Sequence, residues 1–317
     1  MKTMLFLATS TGLVTLQDDD DSWRETTRGL AGHNVTSVIA REGVILAGTT
    51  DGVFRSDDLG GTWHAASAGL IHHHVRWMAY HPDISDFEFV GTEPAAIFIS
   101  RDGGASWRER PEVAQLRDQR RWGLPYSPEA GCVRGFAFHG QRAYAAVEVG
   151  GVLRSDDGGL SWRMSSEVGY REPLVHPDVH SIATHISSPD LVFAPTGGGF
   201  YRSTDGGVSW ARRYICYCRA AWIDPADPDH LILGPADSVD RNGRIEESHD
   251  GGRIWTAASS GLDVPWRRHM VERFTQAGDE LLAILSNGEL LAAPLATLEW
   301  RRILPADAGV ASVAIMA

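Results

Sequence analysis

The chain has 317 residues, of which 43% are hydrophobic and 22% charged, a globular balance that excludes wholesale disorder and a coiled coil. Its 41 acidic residues outnumber 29 basic ones for a net charge of −12, which excludes nucleic-acid backbones and anionic membrane surfaces as natural partners. The 34 glycines and 11 tryptophans point to turn-rich β structure.

The opening MKTMLFLATSTGLVTL reads as two strands around a polar turn rather than a signal peptide, since it has one cation, Thr and Ser interrupt the apolar stretch, and no small-x-small site follows. No apolar run reaches the ~20 residues that span a bilayer. The only cysteines, Cys132, Cys216 and Cys218, are too few and odd in number for a disulfide framework. A soluble, cytoplasmic protein is the expectation. Cys216 and Cys218 lack C-x-x-C spacing and read as structural thiols rather than metal ligands.

From Ser56 onward the sequence repeats itself. SDDLGGTW, SRDGGASW, SDDGGLSW, STDGGVSW and SHDGGRIW are five copies of S-x-D-x-G-x-x-W, and worn copies end at Trp23 and Trp300. The tryptophans at 23, 63, 107, 162, 210, 255 and 300 lie 40 to 55 residues apart. Period-two runs around each motif give about four strands per repeat, which predicts an all-β, seven-bladed β-propeller with four-stranded antiparallel blades over residues 1–317. The repeats end near Trp63, Trp107, Trp162, Trp210, Trp255 and Trp300. The first blade lacks an inner strand, and Gly309–Ala317 matches the inner-strand pattern NVTSVIA. Residues 310–317 together with 1–31 are therefore expected to make blade one and close the ring.

These motifs are Asp-boxes, and the chain resembles the bacterial Asp-box (BNR-repeat) propellers, a grouping that includes sialidase-like and glycoside-hydrolase-like proteins. The resemblance implies that the boxes are architecture: Asp58, Asp102, Asp157, Asp205 and Asp250 accept turn N–H bonds, the glycines allow positive φ, and tryptophan packs between blades. It implies glycoside hydrolysis as the activity to test. Sialidases carry an (F/Y)RxP segment near the N-terminus, before the first Asp-box; the only match in this sequence, Tyr170–Pro173, follows the third full box.

Superposed on their recurring valine, the inner strands align Val35, Val75, Val133, Val179, Cys218, Met270 and Val310. The preceding column is Asn34, His74, Cys132, Asp178, Tyr217, His269 and Gly309. The following column is Thr36, Arg76, Arg134, His180, Arg219, Val271 and Ala311. Residues two apart on a strand share a side, so both columns are expected at the channel mouth. The deeper column, Val38, Met78, Phe136, Ile182, Ala221, Arg273 and Val313, is expected to be packed. Arg76, Arg134 and Arg219, with His180, are placed on one side of the funnel opposite an uncharged Val271, Ala311 and Thr36. Buried guanidinium needs a counter-charge, which an anionic ligand or rim carboxylates would supply. Arg55, Arg154 and Arg202 form another arginine column on an outer strand.

Glu93 and Glu148 occupy matching turns on neighbouring blades and, with Asp178, are the candidate catalytic carboxylates. Asp237, Asp240 and Asn287 lie in the equivalent turns of blades six and seven. His74, His180 and His269 are the candidate ligands of a divalent metal. The connection Arg108–Gly131 is expected to form a short helix with Val113, Leu116 and Trp122 on one face. With Arg163–Pro177 it would make a lid offering Tyr126, Tyr170 and Arg171 to a ligand. The leading expectation is a hydrolase-like enzyme for an anionic, carboxylate- or sugar-type small molecule at the mouth, possible metal assistance included. The alternative is a non-catalytic propeller scaffold that binds a protein partner through its rim.

Overall fold

The computed structural model describes residues 3–19, 23–124 and 131–316. Seven sheets of four antiparallel strands stand in a ring. Apolar residues at alternate positions give each inner strand one face against its neighbours, while turns rich in Gly, Asp and Asn return the chain. Blade one takes Met4–Thr9, Gly12–Asp18 and Trp23–Gly29 from one end of the sequence and Val310–Met316 from the other. Leu7 pairs with Val313, so the ring is closed by backbone hydrogen bonds and that blade has no open inner edge.

Blades two, three and four have inner strands Val35–Arg41, His74–Tyr80 and Cys132–His139. Blade five's inner strand is reduced to Ala183–His185 plus the bridge Val179↔Thr196, and blades six and seven have Tyr217–Ile223 and Val271–Ala277. The core lies between blades. Phe89, Ile97, Val133, Ala145 and Leu153 interlock blades three and four, and Ile232, Ile245, Val271 and Leu281 interlock blades six and seven. Second-strand glycines permit this approach: a Cβ on Gly91 would lie 2.6 Å from Val133 Cγ1, and one on Gly234 would lie 2.5 Å from Val271 Cβ.

The five S-x-D-x-G-x-x-W turns share two bonds, from the serine hydroxyl and from the N–H four residues beyond the aspartate, both to the aspartate Oδ1. In blade four, Asp157 Oδ1 accepts from the Ser155 hydroxyl (2.7 Å) and the Ser161 N–H (2.9 Å), Oδ2 accepts from the Ser161 hydroxyl (2.6 Å), and Trp162 Nε1 donates to Gly159 O (3.0 Å). The structural reading of the boxes fits these bonds, which leave the aspartate's oxygens occupied within its own turn.

The inner strands carry a feature absent from the period-two reading. In blades one, two, three, four, six and seven the pairing with the second strand skips one residue near the mouth, a β-bulge. Bulges re-aim a side chain and increase local twist. The extra residue is Ala311, Thr36, Arg76, Arg134 and Glu272 in blades one, two, three, four and seven, and falls within Arg219–Ala220 in blade six.

Candidate functional site

The bulges correct the expected alignment in blade seven. Val271 pairs with Leu285 just before the bulge, as Val35 pairs with Thr49 and Val133 with Val147, so Glu272 and not Val271 takes the channel position. Val271 is buried between blades, and Phe274 replaces Arg273 in the deeper column. The side of the funnel expected to be uncharged therefore carries a carboxylate. The signal was present in the sequence: the same number of residues separates Val35 from Thr49, Val133 from Val147 and Val271 from Leu285.

Glu272 ties the arginines together across the channel. Arg134 donates to Glu148 Oε2 at 3.0 Å and to Glu272 Oε2 at 3.4 Å. Arg219 donates to Glu272 Oε1, and to Asp240 Oδ1 at 3.2 Å. Arg273, expected in the packed deeper column, lies over the Trp77 ring with its guanidinium carbon 3.7 Å from the centroid and donates to Arg134 O at 2.9 Å. Arg76 reaches Glu93 Oε2 at 3.3 Å, and His74 stands 3.8 Å from the same oxygen.

This waist divides the channel. Above it, a cavity of about 360 Å³ opens at the mouth and is lined by Arg76, Arg134, Thr36, Ser286 and Asn287, among others. Below it, where a packed depth was expected, a second cavity of about 390 Å³ is lined mainly by apolar residues such as Val38, Phe136, Ile182 and Val313. Trp77, Glu272 and Arg273 line both.

Burial and charge set the titration of the waist. Burial pushes the Glu148 carboxyl up, but the Arg134 and His180 charges outweigh it and hold its pKa at about 2. Glu272 is likewise lowered, because Arg219 and Arg134 prevail over burial. Burial works against the charge on Arg134 and Arg219, yet Glu148 and Glu272 raise the first and Glu272 raises the second. Burial and the nearby Arg134 push Arg273 down to about 9, which leaves it charged at neutral pH. Burial drives the Cys132 thiol up to about 12, and this thiol donates to Glu148 Oε2 at 3.3 Å.

His180 is buried against blade six. Its Nδ1 lies 2.9 Å from Cys218 O, which can only accept, so Nδ1 carries the hydrogen. Its Nε2 faces Asp178 Oδ1 and Tyr217 Oη, each at 3.2 Å. Ligand atoms of Glu148, Asp178 and His180 lie within 4.8 Å of one another, so these three are the mouth residues that could share a divalent ion. The expected set of His74, His180 and His269 is not brought together among the described residues. His74 belongs to the Glu93 cluster, and His269 packs 5.3 Å from the Trp266 ring and lines a different cavity. Burial lowers the pKa of both His74 and His269.

The lid is only partly as expected. Pro111–Arg120 is helical, with Val113 and Trp122 buried and Leu116 packed against the core of blades three and four. Tyr126 lies outside the described residues. Tyr170 and Arg171 are exposed and absent from the lining of both channel cavities; Tyr170 packs edge-on to His176 instead. His176 packs against Gly198, where a Cβ would lie 2.4 Å from its Cδ2. Cys132 and Cys218 are buried free thiols.

No family model and no curated protein matches the chain. Among solved structures it is similar to an ancestral GH74 enzyme at 18% identity and TM-score 0.62, with 89% of this chain covered but only 38% of that one. It is also similar to YCF48 bound to D1 peptide (14% identity, TM-score 0.62, 91% of this chain and 87% of that chain). YCF48 from Cyanidioschyzon merolae matches at 13% identity and TM-score 0.64, covering 93% and 96%. These neighbours share the seven-bladed fold.

Proposed function

We propose that the protein is a non-catalytic receptor whose mouth cavity takes up a carboxylate-bearing ligand, such as a small organic acid or the free C-terminus of a peptide. One observation carries this reading: the residues lining the cavity include three arginines, Arg76, Arg134 and Arg273, and one carboxylate, Glu272. This local cationic lining stands within a chain of net charge −12. Glu93 and Glu148, which partner Arg76 and Arg134, are not part of that wall. Arginine forks a carboxylate bidentately, and Ser286 and Asn287 add neutral polar groups beside it. A cavity of about 360 Å³ suits one small acid or the last residues of a peptide. A peptide ligand is also what YCF48, similar in length as well as fold, is described as holding.

The same bonds weigh against acid–base hydrolysis. A glycosidase general acid needs a raised pKa, whereas Glu148 is held at about 2 and stays ionised at neutral pH. Glu93 sits in the Arg76 ion pair, and Asp178 lies against His180.

Calorimetric titration with citrate, and with trialanine bearing either a free carboxyl or a C-terminal amide, tests the proposal. The free carboxylates should bind and the amide should not. Arg76→Met keeps the stem and removes the fork, and the loss of a charged hydrogen bond worth about 1.5–3 kcal/mol should weaken binding roughly tenfold to a hundredfold. Equal binding of acid and amide, or no effect of Arg76→Met, would sink it.

A further inference from the structure

Blade six carries a second cluster, at the opposite end of the blade from the mouth. His230 closes the turn between the first two strands of the blade, Glu247 lies in the strand Glu246–Ser248, and His249 begins the adjoining S-x-D-x-G-x-x-W turn. The repeat shows how unusual this is. In blades two and four the residue before the box serine is arginine, paired with an aspartate two residues on: Arg55–Asp57 at 2.6 Å and Arg154–Asp156 at 2.8 Å. In blade six the same two positions hold Glu247 and His249, 3.4 Å apart, with the polarity of the pair reversed. The neighbouring second-strand position, Val44 in blade two and Leu191 in blade five, is His230.

Three departures from the repeat thus put two imidazoles and a carboxylate at one point. We infer that His230, Glu247 and His249 form a binding site for a d-block divalent cation of the zinc type. Their ligand atoms lie within 4.8 Å of one another. Glu247 Oε1 is 2.8 Å from His230 Nε2 and 3.4 Å from His249 Nε2. Ligands on a tetrahedral zinc with bonds of about 2.0–2.1 Å stand roughly 3.3 Å apart. The His230 and His249 rings stack with centroids 4.4 Å apart and planes 17° apart, so the exposed His249 ring must turn about its side-chain torsions to aim Nε2 at the shared ion. The outer contacts also fit. His230 Nδ1 bonds Asp224 Oδ2 at 2.8 Å, the carboxylate–histidine arrangement that fixes a ligand's tautomer and aims its Nε2. The imidazole ring is further held edge-on by Trp222, with centroids 5.4 Å apart. His249 is exposed, which leaves the remaining coordination positions to solvent or a further ligand. Two nitrogens and one oxygen suit zinc and its neighbours over magnesium or calcium.

The test uses the full chain, freed of metal by chelator dialysis. Cobalt(II) as a spectroscopic probe should bind with one equivalent at this site and develop visible ligand-field bands, and zinc should displace it. His249→Ala, at an exposed position that should leave folding intact, should weaken cobalt binding at least tenfold. Asp224→Asn, removing only the outer contact, should weaken it roughly 10- to 100-fold. His180→Ala, which disables the mouth cluster, should leave the bands unchanged. Absence of bands in the wild-type chain overturns the inference, as does full binding by His249→Ala. Loss of the bands in His180→Ala alone would place the metal at the mouth and overturn it equally.

Discussion

Glu148 shows what a single side chain contributes at the waist. It accepts from Arg134 at 3.0 Å and from the Cys132 thiol at 3.3 Å, and its pKa is about 2 in the folded protein. In the unfolded chain a glutamate titrates near 4.3. The folded value is the lower one, so the carboxylate's stabilisation is complete above the unfolded pKa and is lost as pH falls from about 4.3 towards 2. Glu148→Gln should therefore cost about 1.5–3 kcal/mol near neutral pH, measured by urea unfolding. The difference from wild type should shrink progressively across that acid window. A constant difference between pH 7 and pH 3 would show that some other group governs acid sensitivity. Arg76, Arg134 and Arg219 were legible from the sequence because the repeat superposes them. Their partner Glu272 shifts out of that column when Met270 is superposed on the valines, although the spacing from Val271 to Leu285 equals that from Val35 to Thr49 and carries the right register.

At the scale of the element, turn and strand divide the labour. The S-x-D-x-G-x-x-W turn could be read from sequence as far as its backbone N–H bonds to the aspartate, since these contacts of Asp157 lie within a few residues of it; the hydroxyl donors Ser155 and Ser161 were not foreseen. Asp157→Ala should lower stability by about 1–3 kcal/mol through unsatisfied N–H donors while leaving carboxylate binding at the mouth unchanged. Thermal unfolding and the calorimetric titration read the two effects separately. The helix Pro111–Arg120 was legible for a similar reason: Val113 and Leu116 declare a buried face locally. The inner strands were legible as strands but not as surfaces. Without the bulge, residues on either side of the valine share one side; with it, the following residue is re-aimed, and that one residue decides what faces the axis. Tyr170 and Arg171 were misplaced because no local pattern encodes what a loop side chain packs against, here Tyr170 against His176.

At the scale of the molecule, fold and closure followed from repetition alone, and Leu7 opposite Val313 is the closure expected of a blade built from both ends of the sequence. The cross-channel ion network is different in kind, since no repeat predicts a bond between blades that are not neighbours. Arg134 and Glu272 are 138 residues apart and belong to blades four and seven. Such a contact can form only after the ring has been assembled, when the entropy of closing a very long loop has already been lost. It should accordingly be missing from the transition state for folding. In a double-mutant cycle of Arg134→Met and Glu272→Gln, the coupling should then appear in the unfolding rate and be nearly absent from the refolding rate, as stopped-flow measurements in denaturant would show. Coupling in the refolding limb would mean that the two blades meet early. The waist thus acts on time rather than on pathway: it lengthens the lifetime of the assembled ring without helping the chain to find it.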